Sequence, residues 1–288
     1  MIYLEKFIFP NNDTEFDFFR MILRKCYTTF YPFQVFSYHE KLELDFEPIT
    51  ILYGGNGSGK TTALNVIAEK LKLNRVSAFN QSNFFEDYLK LCQYRIEEEI
   101  TECSSIITSD DVFDYALNIR HANLGIDQKR TEVFGEYLDA KHAKFQMESL
   151  DDYERLKQVN QARSKTQSRY TRDNLISNIR TNSNGENAYK YFLEKVTENG
   201  LFILDEPENS LSPKMQLKLK TYIEEAARYF GCQIIMATHS PFLLATEGAK
   251  IYDFDSDPVV LRDWRELENI QTFFEFFKDI DTSKRSTL

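Results

Sequence analysis

Residues 54–62 form a glycine-rich segment whose residue types are suited to binding phosphate. They read Gly-Gly-Asn-Gly-Ser-Gly-Lys-Thr-Thr and match the pattern G-x-x-x-x-G-K-[ST], in which glycines let successive backbone N–H groups approach a phosphate. Lys60 is expected to reach the β- and γ-phosphates of a nucleotide, and the Thr61 hydroxyl is expected to bind Mg²⁺. The predicted phosphate-binding residues are Asn56, Gly57, Ser58, Gly59, Lys60, Thr61 and Thr62.

The segment needs a strand before it and a helix after it, and the sequence predicts both. The apolar residues 49–53 predict a buried strand, and Leu64, Ile67, Ala68 and Leu71 recur at helical spacing. A helix N-terminus adds partial positive charge to the backbone N–H groups of the loop. This context predicts an anion-binding site, whereas a chance glycine-rich turn would lack it.

A second group of candidate residues follows another apolar run, residues 201–204. Asp205 and Glu206 come directly after it, where the strands of open α/β sheets place their ligands. Asp205 is expected to hold Mg²⁺ directly or through water. Glu206 is expected to be the general base that orients and activates the attacking water. A solvated acidic loop is the alternative, and the upstream phosphate-binding segment argues against it.

A histidine follows the next predicted strand, residues 233–237. His239 lies 34 residues after Asp205, past one predicted helix and one predicted strand. An imidazole there can hydrogen-bond a terminal phosphate and the attacking water. A lone histidine is more often structural, but this position favours a catalytic role beside Glu206 and Lys60.

Together these residues resemble the ABC-type ATPase head of the SMC/RecF-like and OLD-like branch, whose compact members are often described as AAA-family ATPases. Residues 54–62 match its phosphate loop, residues 201–206 match its Walker B strand, and His239 matches its switch histidine. Residues 183–186 match the S-x-G-E form of its signature motif, and residues 208–211 fall at its D-loop. The resemblance covers most of the chain. It implies an α/β P-loop NTPase with a mixed sheet, flanking helices and an inserted helical subdomain.

The resemblance also implies a site shared between two chains, because in that family the signature residues reach the γ-phosphate of the partner. It implies ATP as substrate, Mg²⁺ as cofactor, hydrolysis to ADP and phosphate, and an ATP-dependent homodimer or larger assembly. The signature residues expected to act in trans are Ser183, Gly185 and Glu186. The expected magnesium ligands are Thr61, Asp205 and Gln81, the last as a candidate Q-loop residue with Gln93 as its alternative.

The predicted domain organisation has two lobes. Residues 1–83 and 187–288 are expected to form the nucleotide-binding α/β core, and residues 84–186 a helical lobe that carries the signature motif. Gly125 and Gly135 are expected to interrupt the helices of that lobe. Near the C-terminal end of the chain, a phenylalanine-rich helix is expected to pack its rings in the core, although an exposed apolar face would be an assembly site.

Composition excludes several classes of protein. The 288 residues are 42% apolar and include 24 Phe and 16 Tyr, which is enough for a packed core. A net charge of −10 excludes a protein that coats nucleic acid with its whole surface. No run approaches the roughly 20 apolar residues of a membrane helix, and the N-terminus lacks a secretory signal pattern. The four cysteines include no C-x-x-C pair, so reduced thiols in a cytoplasmic protein are expected.

One segment reverses the local charge. Six basic residues and no acidic residue occur between positions 155 and 172. They are a possible nucleic-acid or partner surface, or else a solvated helix face that pairs with acidic neighbours. The residues are Arg155, Lys157, Arg163, Lys165, Arg169 and Arg172.

Two departures from the family pattern narrow the function. The signature is not L-S-G-G-Q, which argues against a transporter subunit, and Lys60 and Asp205 are only 145 residues apart, against hundreds in long SMC coiled coils. Compact ATPases of this kind occur beside separate nuclease or effector chains in bacterial anti-phage systems, and this chain has no nuclease motif of its own. The favoured function is therefore an ATP-hydrolysing switch that dimerises around ATP and controls a partner effector or nuclease. A DNA-repair ATPase that clamps DNA directly is the alternative, and a transporter subunit is a remote one.

Overall fold

The structure is a computed structural model that describes residues 1–22, 26–27, 29–36, 39, 41–144, 152–175, 177–178 and 183–285. The chain divides into two compact units. The first comprises residues 1–113 and 184–288, and the second comprises residues 114–183.

The first unit contains all of the described strands. They are β1 (Leu4–Ile8), β2 (Glu43–Asp45), β3 (Ile49–Tyr53), β4 (Gln93–Ile96), β5 (Ser105–Thr108), β6 (Leu201–Asp205), β7 (Gln233–Ala237), β8 (Lys250–Asp253) and β9 (Val260–Leu261). The described α-helices are α1 (Asn12–Met21), α2 (Lys60–Leu71), α3 (Phe85–Leu91), α4 (Ser109–His142), α5 (Tyr153–Ser164), α6 (Gln167–Asn174), α7 (Asn184–Lys195), α8 (Pro213–Tyr229), α9 (Pro241–Leu244) and α10 (Glu268–Arg285).

The main sheet has six strands in the order β5-β6-β7-β3-β8-β9. All of its pairings are parallel except that of β8 with β9. Every residue of β3 and β7 is buried, as expected of parallel strands that read as continuous apolar runs. The sheet therefore aligns the carboxyl ends of β6, β7 and β3 side by side, which confirms the α/β P-loop fold.

A smaller antiparallel sheet has the strand order β2-β1-β4. The fully buried Gln233 ties this sheet to β7. Its Oε1 accepts hydrogen bonds from the N–H groups of Tyr3 and Leu4, both at 2.8 Å, and its Nε2 donates to Leu4 O at 2.8 Å. Gln233 thus helps to fix the small sheet against the main sheet, as does the Tyr252 hydroxyl of β8, which bonds to the N–H and the carbonyl oxygen of Asp45 in β2.

In the structure, the helical region begins later in the chain than the sequence predicted. The region from residue 84 was expected to be mostly helical, but β4 pairs with β1 and β5 pairs with β6. Because β5 belongs to the main sheet, the first unit extends to residue 113 rather than ending at residue 83. The tertiary pairing of these short strands explains the difference, since the four residues of β4 are all exposed and carry no strand-like burial pattern.

The second unit is helical. The 34-residue helix α4, which begins in the first unit, runs without a break through Gly125 and Gly135, so the predicted interruption is wrong. Neither glycine has a neighbour within 4 Å of the position of a Cβ, and a helical glycine costs only about 1 kcal/mol relative to alanine. A small core holds the unit together; its buried members are Val133, Tyr137, Ala162 and Tyr170.

Helix α10 differs from the expectation of core packing. Its Phe273, Phe274, Phe276 and Phe277 side chains are 43%, 65%, 58% and 63% exposed, and every residue from 271 to 280 is exposed. The prediction that these rings fill the core is wrong, because the described part of the fold places no element over them.

Among the described residues, no helix combines the length and the apolar character needed to cross a lipid bilayer.

Candidate nucleotide-binding and catalytic site

The glycine loop connects β3 to α2 as predicted. Gly59 immediately precedes α2 with a φ of 95°, a left-handed conformation that favours glycine. A Cβ at this position would lie 2.7 Å from Phe36 Cε1 and 3.2 Å from Val35 Cγ1. Both the backbone conformation and the neighbouring side chains therefore require glycine here, and this lets the loop turn into the helix N-terminus.

Lys60 is held inside the loop. Its Nζ donates hydrogen bonds to Gly54 O at 2.6 Å, Gly55 O at 2.9 Å and Ser58 Oγ at 3.4 Å. Burial lowers the pKa of the ammonium, and the charge of nearby carboxylates, Glu206 first, opposes that shift. The backbone of the loop thus positions a buried cation beside the N–H groups that are suited to phosphate.

Thr61 and Asp205 meet at the ends of α2 and β6. The Thr61 hydroxyl donates to Asp205 Oδ1 at 3.1 Å. The pKa of the half-buried Asp205 is raised to about 6, mainly by burial and in part by the charge of Glu206, while the Thr61 hydrogen bond opposes the shift. These hard oxygen atoms fit Mg²⁺, which commonly takes one or two protein ligands together with phosphate and water oxygens. No group of three or more His, Cys, Asp and Glu residues within the described part of the chain forms a metal site by itself.

Glu206 and His239 converge on the same space. Glu206 has a positive φ of 49°, and its N–H donates to Ala237 O, the last carbonyl of β7, at 2.9 Å. Its Oε2 accepts from Asn209 Nδ2 at 2.9 Å, and its Oε1 lies 3.9 Å from His239 Nε2. Among the described residues, nothing hydrogen-bonds the buried His239 Nε2. A carboxylate and an imidazole nitrogen therefore face each other across a gap that is too long for a direct hydrogen bond.

One cavity brings the two halves of the predicted site together. It measures about 290 Å³, and both Glu206 and the glycine loop line it. The lining residues are Val35, Asn56, Gly57, Gly59, Lys60, Thr61, Thr62 and Glu206. All of the predicted phosphate-binding residues except Ser58 line this cavity, together with the predicted general base.

A second cleft of about 550 Å³ is lined by Thr61 and Asp205, together with Tyr31, Phe79 and Asn80. Gln81 is exposed and is not among its lining residues, and Gln93 lies in β4 of the small sheet. Asn80, which precedes Gln81 in the chain, lines this cleft together with Asn65 and Asp205.

Glu208 is a residue whose role the sequence did not indicate. Its Oε2 accepts from the Thr238 hydroxyl at 2.7 Å, and its Oε1 accepts from the N–H groups of His239 at 2.6 Å and Ser240 at 3.1 Å. The sequence placed Glu208 in the D-loop without a function. The signal was the second glutamate of the Asp-Glu-Pro-Glu run, but its partners lie 30 to 32 residues further along the chain.

The signature segment lies at the start of α7. Ser183 immediately precedes the helix, and Gly185 and Glu186 lie in its first turn. A Cβ on Gly185 would lie 3.1 Å from the carbonyl oxygen of Ser210, so the helix N-terminus packs closely on the D-loop backbone. Glycine at this position permits that approach.

The basic residues belong to the second unit and are partly neutralised within it. Lys165 pairs with Asp173 at 2.6 Å, Lys157 approaches Glu154 at 3.8 Å, and Arg163 donates to Ala143 O at 2.7 Å. Arg169 and Arg172 lie on α6 and are exposed. Arg155, Lys157 and Arg163 are exposed as well.

The comparisons with known proteins identify two families. An ABC transporter model matches residues 40–209. A second model, described as "AAA domain, putative AbiEii toxin, Type IV TA system", matches residues 188–245. No curated protein matches the chain.

The solved structures to which this chain is similar include two SMC heads and an ATP-binding cassette. The Smc head domain of Pyrococcus furiosus, bound to the C-terminal domain of ScpA, is 12% identical, with 98% of this chain and 100% of that chain covered and a TM-score of 0.46. The SMC head domain of Thermotoga maritima is 12% identical, with 91% and 99% covered and a TM-score of 0.38. A dimeric ATP-binding cassette in a post-hydrolysis state, bound to ADP and Pi, is 13% identical, with 80% and 92% covered and a TM-score of 0.36.

The phosphate loop, Asp205 and Glu206 all lie inside the segment matched by the first family model, and that segment is more than half of the chain. This protein therefore belongs to the ABC transporter family of ATPases.

Proposed function

We propose that this protein is an ATP-hydrolysing molecular switch that dimerises around ATP and controls a partner effector or nuclease chain. The observation that carries the proposal is the cavity in which the glycine loop, Lys60 and Glu206 face the same space. His239 approaches that space, with its Nε2 3.9 Å from Glu206 Oε1. A phosphate cradle beside a carboxylate and an imidazole is suited to the attack of water on a terminal phosphate.

Each side chain has a distinct role in this proposal. The loop N–H groups and the Lys60 ammonium bind the phosphates of the substrate ATP. Thr61 and Asp205 would hold Mg²⁺, which neutralises phosphate charge when bound. Glu206 orients the attacking water and accepts its proton, and His239 hydrogen-bonds the terminal phosphate.

The dimer is supported by the placement of the signature segment. Ser183, Gly185 and Glu186 stand at the N-terminus of α7, where backbone N–H groups favour an anion. In the proposed dimer they reach the γ-phosphate bound by the partner subunit, so two composite sites close only when both hold ATP. Binding energy at these sites then shifts the population toward the closed form, and hydrolysis releases it.

The proposed setting is bacterial phage defence in the cytoplasm. The match of residues 188–245 to an AbiEii-like model supports this setting, because that model is described as a toxin of a type IV toxin–antitoxin system. The exposed phenylalanine side chains of α10 are consistent with a protein partner, since large exposed apolar patches commonly mark interaction sites.

An ATPase that clamps DNA directly is the second candidate. The exposed Arg169 and Arg172 favour it, because exposed guanidinium groups can bind backbone phosphates. The internal pairing of Lys165 and the engagement of Arg163 reduce the charge left for such a contact. A transporter subunit remains a remote third candidate.

The decisive experiment measures the solution mass of Glu206→Gln by light scattering, with and without ATP and Mg²⁺. The variant removes the base but keeps the phosphate loop, so it should bind ATP, hydrolyse it about 100-fold more slowly or worse, and accumulate the closed form. We expect a shift from the 33.9 kDa monomer to twice that mass only with ATP. Lys60→Ala in the same background is the matched control, because it should weaken phosphate binding and leave the mass unchanged.

Three outcomes would contradict parts of the proposal. A solution mass that does not change when ATP is added would contradict the proposed ATP-dependent dimer. DNA cleavage by the purified chain that survives Lys60→Ala would replace the switch by a nuclease. The DNA clamp would be favoured if DNA stimulates ATP hydrolysis and this stimulation is lost when Arg169 and Arg172 are both replaced by alanine.

A further inference from the structure

The side chain of Glu208 links two loops that follow neighbouring strands. Glu208 stands three residues after the end of β6, and its carboxylate crosses to the loop that follows β7. There it accepts three hydrogen bonds, from the Thr238 hydroxyl at 2.7 Å and from the N–H groups of His239 at 2.6 Å and Ser240 at 3.1 Å. Charge-assisted bonds from a carboxylate to backbone N–H groups are among the stronger hydrogen bonds in proteins.

The peptide groups on both sides of His239 are therefore held. Its N–H donates to Glu208, and its carbonyl oxygen accepts from Asn269 Nδ2 at 2.8 Å. Asn269 is itself fixed, because its N–H donates to the hydroxyl of Tyr53 at 3.1 Å. With both peptide groups fixed, the backbone of His239 determines where its imidazole lies relative to Glu206.

A second pair of bonds reinforces the same junction. The Ser240 hydroxyl donates to Gln216 Oε1 at 2.7 Å, and Gln216 Nε2 donates to Leu211 O at 2.9 Å. The D-loop is thus joined to the histidine loop at two points. Gly185 of α7 packs against Ser210 of the same D-loop, so the predicted signature segment contacts the element that carries Glu208.

We propose that Glu208 is a positioning residue for His239, and that it ties the placement of the imidazole to the conformation of the D-loop. This inference rests on the proposed function, because it assigns His239 a part in ATP hydrolysis. Glu208 acts through His239: it fixes the backbone, and the histidine contacts the substrate. A displacement of the D-loop by α7 would reach the imidazole through this carboxylate.

The test is a double-mutant cycle of Glu208→Ala and His239→Gln, read by steady-state ATP hydrolysis. Glu208→Ala should lower kcat about 10- to 100-fold and leave KM for ATP within about twofold, because misplacing a catalytic group by about 1 Å costs on the order of 100-fold. The double variant should be no slower than His239→Gln alone, since an effect that acts through His239 disappears with it. A general structural defect would instead multiply the two losses.

A second readout does not depend on hydrolysis. The imidazole ¹H–¹⁵N resonances of His239, assigned by their loss in His239→Gln, are recorded without nucleotide. They should move in Glu208→Ala and move less in Glu208→Gln, because the amide oxygen still accepts from the two N–H groups but leaves the Thr238 hydroxyl without its acceptor. Glu225→Gln, an exposed glutamate on α8, is the matched control and should leave both readouts unchanged.

Each outcome decides the inference. Unchanged kcat in Glu208→Ala, multiplied losses in the double variant, or His239 resonances that do not move would each overturn it. If Glu208→Ala does not fold, Glu208→Gln carries the test, with an expected loss in kcat of about 3- to 10-fold that also disappears in the His239→Gln background. A wild-type protein that hydrolyses no ATP would overturn the proposed function, and the resonances would still report whether Glu208 positions His239.

Discussion

Replacing Asp205 by asparagine should stabilise the protein while it abolishes function. Asparagine has nearly the same shape and keeps an oxygen that can accept the Thr61 hydroxyl, so the packing around β6 is retained. The substitution removes only the charge. Because burial is the main cause of the raised pKa of Asp205, that charge is unfavourable in the folded protein without nucleotide.

The size of the effect follows from the pKa. The carboxyl titrates near 3.8 in an unfolded chain and at about 6 in the fold. A difference of about two units corresponds to roughly 3 kcal/mol as an upper limit. The carboxylate borders a cleft open to water, and screening there reduces the expected gain to about 1–2 kcal/mol.

The pH dependence has a defined sign. Below about pH 3.8 the carboxyl is protonated in both states and contributes nothing. As the pH rises to about 6, the unfolded chain releases a proton that the fold retains, so this group progressively lowers the stability of the wild type. Above that pH the cost is constant. The advantage of Asp205→Asn should therefore be small at about pH 4.5 and near its maximum at about pH 8.

Urea unfolding of wild type and Asp205→Asn at these two pH values measures the difference directly. Asp17→Asn, an exposed aspartate on α1, is the control and should show no such pH-dependent gain. With saturating ATP and Mg²⁺ the order should reverse, because a ligand present at 100 times its Kd adds about 2.7 kcal/mol to the protein that binds it. A variant that is less stable than wild type at pH 8 without nucleotide would refute the reasoning.

Two further substitutions test the loop and the sheet. Gly59→Ala should lower the free energy of unfolding by about 1–3 kcal/mol and weaken ATP binding, because the φ of Gly59 is 95° and an added Cβ would lie 2.7 Å from Phe36. Thermal unfolding measures the loss of stability, and equilibrium binding measures the loss of affinity for ATP. Gly125→Ala, in open space within α4, is the control and should add about 0.5–1 kcal/mol; equal effects of the two would contradict the argument. Gln233→Met should lower the free energy of unfolding in urea by about 2–4 kcal/mol, because two N–H groups and a carbonyl lose their partner. A loss below about 1 kcal/mol would mean that other contacts hold the two sheets together.

The sequence predicted the elements whose signals are local. Strands β3 and β7 have the predicted bounds, and β6 agrees within one residue, because a mostly apolar run in a parallel strand is buried on both faces. The glycine loop was predicted from its pattern, since the backbone conformation at Gly59 permits little else. These features depend on residues that are adjacent in the chain.

Features that depend on distant partners were not predicted. Strand β4 is exposed at all four positions and is defined by its pairing with β1. The three hydrogen bonds of Glu208 and the contact of Asn269 with His239 join segments about 30 residues apart. The amphipathic pattern of α10 is the same for a helix that packs its phenylalanines inside and for one that exposes them, so periodicity alone could not distinguish the two.

The order of the strands places the phosphate loop and the proposed hydrolytic groups on different strands. Strand β7 lies between β3, which carries the phosphate loop, and β6, which carries Asp205 and Glu206. Both proposed hydrolytic groups depend on the end of β7: His239 follows it, and the N–H of Glu206 bonds to its last carbonyl, at Ala237. That bond helps to hold Glu206 in a left-handed conformation that costs roughly 1–2 kcal/mol. The phosphate loop does not bond to this carbonyl. A movement of the loop after β7 would therefore change the rate of hydrolysis while the phosphates stay bound. The proposed switch requires this property, because it stays closed until ATP is hydrolysed.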